Sequence, residues 1–121
     1  MRNKAFLFFA LAMFGSGCYY DSFEGLHPAN GYVNPCDTTL QSTYSSAIKV
    51  IISYNCLSCH NASYAGGNVN LENYELVKAN STKIINSVLR SSGYNPMPPT
   101  QALPDCQTQR LQEWISNNYP Q

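Results

Sequence analysis

Cys56-Leu57-Ser58-Cys59-His60 is the stretch of this 121-residue chain that most restricts what it can fold into. Two cysteines two residues apart, with a histidine directly after the second, form the attachment pattern of a c-type haem. Each thiol adds across one vinyl group of the porphyrin, which gives two thioethers. The spacing puts both sulfurs on one helical turn, about the separation of the two vinyls. His60 then offers a ring nitrogen to the iron as proximal ligand. The pattern therefore predicts a cofactor, a ligand and an assembly compartment together.

Cys-x-x-Cys alone also occurs in zinc sites and in thioredoxin-like proteins. A zinc site calls for a second ligand pair at similar spacing. Beyond His60 the chain has one other histidine, His27, and Cys36 and Cys106 stand alone in sequence. A thioredoxin-like motif follows a strand in an alternating strand–helix chain, whereas the segment before Cys56 reads as a helix. Both alternatives remain open at this stage, behind haem attachment.

The second candidate ligand is Met97, in Pro96-Met97-Pro98-Pro99 after Ser91-Ser92-Gly93. Once a leader is removed, Met97 is the one methionine left. A lone methionine ordinarily fills gaps in an apolar core, but a proline-rich loop offers little core to fill. Three prolines fix the local backbone dihedrals and let the loop hold a thioether near iron at small ordering cost. His27 competes for the same role. It lies in a Gly- and Pro-containing segment ahead of the domain and reads as a surface residue.

The remaining pattern is helical. Tyr44, Ala47, Ile48, Ile51 and Ile52 form an amphipathic stripe that runs into the haem motif. Ala65-Gly66-Gly67-Asn68 is a loop, and Leu71 to about Lys78 a short helix. Ser81 or Thr82 caps another, with Ile84, Ile85, Val88 and Leu89 as its apolar stripe and Gly93 as its end. Asp105 or Thr108 starts the last, with Leu111, Trp114 and Ile115 on one face. No strand is predicted. For every stripe the ordinary reading is core packing, and a haem becomes the largest part of that core.

Cys56, Cys59, His60, the Met97-Pro98 pair and the final helix with Leu111, Trp114 and Ile115 together resemble the small class I monohaem cytochromes c. The likeness runs from about Tyr44 to Tyr119. It implies an all-α, cytochrome c-like fold of four or so short helices around one covalent haem c. It also implies His60/Met97 ligation of the iron and electron transfer without catalysis. The segment Leu71-Glu72-Asn73-Tyr74 is similar to the small domains of bacterial membrane-associated cytochromes.

The start of the chain supplies an address. Arg2 and Lys4 precede an apolar run from Ala5 to Phe14, then Gly15-Ser16-Gly17 and Cys18, the form of a secretory signal. The run is too short to span a bilayer as a stable helix. Cys18 after Ser-Gly resembles a bacterial lipoprotein signal, in which that cysteine is lipidated. Gly15 departs from the pattern, which usually has leucine there, and an ordinary cleaved signal is the alternative. The expected organisation is a signal peptide over 1–17, a lipid anchor and tether over 18–40 punctuated by Gly25, Pro28, Gly31 and Pro35, and the domain over 41–121. That places the protein on the periplasmic side or outer face of a bacterial membrane, where the cytochrome likeness implies that haem is attached.

Cleavage removes two basic residues and no acidic one, which leaves five basic residues against seven acidic and a net charge of about −2. No basic patch argues for nucleic acid. The partners expected are redox proteins, met through a small transient interface, and the membrane through its lipid. Cys36 and Cys106 are then unassigned in an oxidising compartment. The cytochrome c fold packs the first and last helices together, so it allows a disulfide between them; two unpaired thiols are the alternative. Three rival functions stand beside electron shuttling: a haem sensor whose distal ligand leaves, an electron-entry subunit of a larger membrane oxidoreductase, and a peroxidase, which an occupied distal site disfavours.

Overall fold

Thr43 starts the first helix by accepting the Ser46 N–H on its hydroxyl. The turn that follows, Tyr44–Ile48, is π-helical. Thr43 O accepts from both Ala47 N–H and Ile48 N–H at 3.1 Å, so the first ring of hydrogen bonds is wider than an α-turn. It passes directly into α1, Lys49–Asn55. A 3-10 turn, Gly66–Asn68, and three further helices follow: α2 (Tyr74–Ala79), α3 (Ser81–Val88) and α4 (Asp105–Ser116). These elements come from a computed structural model that describes residues 33–121, and among the described residues there is no strand. The fold class is therefore all-α, as the helical periodicity predicts. The leader, Cys18 and His27 lie outside the described residues.

The apolar stripes meet in one core. Ala47, Ile48, Ile51 and Ile52 of the first helix are essentially inaccessible, as are Val77, Leu111 and Trp114. Leu71, Val88 and Leu103 complete the cluster. At about 25 cal/mol per Å² of apolar surface, each fully buried Ile or Leu contributes about 1.5–3 kcal/mol. Trp114 is the hub. Its ring meets Tyr119 edge-on at 5.0 Å and Tyr74 edge-on at 6.2 Å, and lies tilted 6.3 Å from Tyr44. Trp114, Tyr74 and Tyr119 of this cluster all have their polar tips paired. Trp114 Nε1–H and Tyr44 N–H both donate to Pro120 O at 2.9 Å. Tyr74 donates its hydroxyl to Tyr119 O at 2.8 Å. Among the described residues no buried side-chain nitrogen or oxygen is left without a partner.

Several boundaries differ from the sequence expectations for local reasons. Leu71 precedes α2 rather than opening it, because Asn73 is the cap: its side chain accepts the Leu76 N–H at 3.0 Å. Ser81 is the first residue of α3 rather than its cap. It is buried, and its hydroxyl donates to Tyr119 Oη at 3.2 Å. Leu89, expected on the α3 stripe, is exposed, because the helix ends one residue before it. Gly93 does not end α3; Arg90 does, in the left-handed region at φ 56°. Arg90 N–H donates to Ser87 O and Ser91 N–H to Asn86 O, the paired bonds of a Schellman cap. α4 ends the same way on Asn118, a residue that tolerates the left-handed region.

The described unit runs from Val33 to Gln121 and includes residues 33–40 ahead of the first helix. Arg110 of α4 straps that segment down. Its guanidinium donates to Pro35 O at 3.3 Å, Asp37 O at 2.6 Å and Ser42 Oγ at 3.0 Å. Cys36 and Cys106 lie at disulfide distance beside this strap, with Cα atoms 5.5 Å apart across 70 positions of sequence. Glu113 closes the network by accepting the Ser42 hydroxyl at 2.5 Å and pairing with Arg110 at 3.5 Å.

The Ser42 hydroxyl, then Gln109 and Arg110, hold the Glu113 carboxyl below its ordinary value of 4.5. A depressed carboxylate stabilises the fold above its unfolded pKa and loses that contribution as pH falls through the folded one. Glu113→Gln is therefore expected to be less stable than the wild type at neutral pH and to converge with it as pH falls through the depressed folded-state pKa of the carboxyl, below 4.5. Its side chain is 38% exposed, so the gap is under about 1 kcal/mol. Urea unfolding of both proteins across this window checks the sign.

Candidate functional site

The two cysteines and His60 sit immediately after α1 rather than on a continuing helix. α1 stops because Cys56, its C-cap, leaves helical geometry at φ −124°. The next four residues form one hydrogen-bonded turn: Cys59 N–H and His60 N–H both donate to Cys56 O, at 3.1 and 2.9 Å. Both sulfurs thus belong to a single turn even though the α-helix has ended. Cys56 is half-buried against the core, and burial pushes its thiol up to about 11. Cys59 is exposed, with the Ser58 hydroxyl 3.7 Å from its sulfur.

The chain then folds back over the motif. Asn61 directs the reversal by donating to Leu57 O and accepting the Ser63 and Tyr64 N–H groups. Gly66 N–H donates to Cys59 O at 2.8 Å. A Cβ at position 66 would stand 2.9 Å from that same carbonyl, so glycine alone lets the two backbones approach this closely. Leu71 N–H donates to His60 O at 2.8 Å and pins the histidine backbone. Val69 O then lies 3.3 Å from His60 Nδ1. A carbonyl only accepts, so this contact assigns the proton to Nδ1 and leaves the Nε2 lone pair free for a metal.

Met97 is anchored elsewhere. It is half-buried, its peptide bond to Pro98 is cis, and its N–H donates to Ser87 O in the last turn of α3 at 3.1 Å. Arg90 donates to Pro98 O at 3.3 Å. The structure thus unites Cys56, Cys59 and His60 in one turn and fixes Met97 on α3. Among the described residues no hydrogen bond joins the two loops directly. The Cys56–His60 turn borders the core through Cys56 and Leu57, and there Leu57, Val69, Ile84 and Ile85 are only partly covered by protein.

These residues fit a covalently held haem. Two thiols occupy one turn, an imidazole has one nitrogen committed to a carbonyl, and Leu57 and Val69 of the same segment are only partly covered. Among the described residues no three His, Cys, Asp or Glu side chains converge. The dithiol alternative lacks the strand it would follow. The sequence carries no signal for the parts played by Val69 O, Ser87 O or Arg90. Gly66 is visible only as a loop glycine.

Comparison with protein-family models, with curated proteins and with solved structures finds no match to this chain. Among the described residues no helix is long and apolar enough to cross a membrane.

Proposed function

We propose that this chain is a lipid-anchored monohaem c-type cytochrome that passes single electrons between protein partners. The observation that carries the reading is the turn Cys56–His60, in which both thiols accompany an imidazole whose Nδ1 is held by Val69 O. When bound, haem supplies a reversible one-electron couple between ferric and ferrous iron. Cys56 and Cys59 would retain it through thioethers, and His60 Nε2 and Met97 Sδ would ligate its iron. The Val69 carbonyl fixes the tautomer and orientation of His60 and increases its basicity. Leu57, Val69, Ile84 and Ile85 exclude water. Thioether stabilises ferrous iron, so His60/Met97 ligation favours a raised potential. The cytochrome c fold, export, the Cys36–Cys106 bridge, and Cys18 as the membrane anchor all belong to this reading.

Expression of the full chain in a host that matures c-type cytochromes tests it. Haem colour is expected to survive denaturation and acid-acetone extraction on the peptide containing Cys56 and Cys59. The mature N-terminus is expected at an acylated Cys18. Extractable haem, or zinc without iron, rules out the cytochrome. An unmodified Cys18 in a soluble product rules out the anchor alone.

A further inference from the structure

α3 ends on a residue poorly suited to end a helix. Arg90 takes the left-handed position of the Schellman cap at φ 56°, a place usually given to glycine because a Cβ is strained there. α4 fills its equivalent place with Asn118, whose short amide tolerates that conformation. Arginine has no such relief. A strained residue at a helix end raises the question of what its side chain does there.

The Arg90 guanidinium has one observed use. Nη2 donates to Pro98 O at 3.3 Å, and among the described residues Arg90 has no ion-pair partner. The proline loop explains why a side-chain donor is needed there. Within Pro96-Met97-Pro98-Pro99 only Met97 carries a backbone N–H. That single donor is already committed to Ser87 O at 3.1 Å. Any second attachment of the loop must use one of its carbonyls, and a carbonyl needs a donor from outside.

We propose that Arg90 is a positioning residue that clasps the Met97 loop onto the end of α3. One bond, Met97 N–H to Ser87 O, holds the loop by its donor. The other, Arg90 to Pro98 O, holds it by an acceptor one residue on. The two bonds bracket Met97 and restrict the excursions of its side chain. The left-handed turn at Arg90 sets the direction in which the guanidinium leaves the helix. The consequence for ligand retention rests on the reading of Met97 as an iron ligand; the clasp itself does not.

The test compares Arg90→Gly and Arg90→Lys in the full-length holoprotein. Glycine removes the donor and relieves the backbone strain, whereas lysine keeps both a donor and the strain. In Arg90→Gly, exchange of the Met97 amide is expected to speed up on the order of three- to tenfold. Affinity of the ferric protein for imidazole should rise by a similar factor. The urea midpoint should stay unchanged or rise, because the left-handed position favours glycine. Arg90→Lys should recover most of the amide protection. Met97 exchange within twofold of wild type in Arg90→Gly overturns the clasp. So does a loss of amide protection matched by an equal loss of global stability, since that is what a merely structural cap would give. If Arg90→Gly speeds the amide while Met97→Ala leaves imidazole affinity unchanged, the clasp stands and the ligand assignment falls.

Discussion

Met97→Ala is expected, under the proposed His60/Met97 ligation, to convert the ferric protein from a closed six-coordinate form to one that takes external ligands readily. On that proposal a small ligand must displace Met97 before it can bind, so its apparent affinity is reduced by the fraction of molecules in which the loop is open. Each 1.4 kcal/mol by which the attached loop is favoured lowers that fraction tenfold. The substitution removes the thioether but leaves both bonds of the loop, to Ser87 O and from Arg90, in place, so what it relieves is the competition of the sulfur for iron. Cyanide or imidazole affinity should therefore rise at least about tenfold in Met97→Ala. The weak far-red thioether–iron absorption band should vanish with it. Met97→His keeps six-coordination but should lower the potential, because imidazole favours ferric iron more than thioether does. An unchanged spectrum and potential in Met97→Ala would assign the sixth position to another group. His27, outside the described residues, is then the next candidate.

Removal of the Cys36–Cys106 pair is expected to have the largest effect on stability. The chain-entropy account of a loop of 70 residues assigns the bridge about 4 kcal/mol, an upper figure because native strain is ignored. Small domains have about 5–15 kcal/mol in total, so Cys36→Ser with Cys106→Ser should sharply lower the urea midpoint. Peptide mapping without reduction should recover the two cysteines as one linked pair. The three bonds from Arg110 to Pro35, Asp37 and Ser42 remain in that variant. They keep residues 33–42 near α4 even when the covalent tie is gone. A loss below about 1 kcal/mol would mean that this strap alone does the work.

Much of the helical plan was legible because burial follows periodicity. Ala47, Ile48, Ile51 and Ile52 recur at helical spacing, and all four are buried in one face. Leu111 and Trp114 behave likewise, and Asp105 does begin the last helix. Caps were harder to place. Ser81 was an apt capping residue by type, yet Tyr119 drew its hydroxyl into the interior, while Asn73 was available one helix earlier. A side chain's local chemistry says which roles it can fill; the chain's return path decides which of them it does.

The same distinction divides the candidate site. Local spacing alone puts two thiols and an imidazole on one turn, because they are separated by only two and zero residues and no tertiary arrangement can part them. Composition likewise leaves the methionine in a loop whose one backbone donor is its own N–H, since proline has none. What holds these groups in place is a matter of the fold. Val69 O meets His60, Ser87 O meets Met97, and Pro120 O receives both Trp114 and Tyr44. A backbone carbonyl is the same group in every residue, so nothing in a side-chain alphabet marks which one will be an anchor. That choice arises where distant segments pass within hydrogen-bond distance, a property of the folded path and not of any local run of residues.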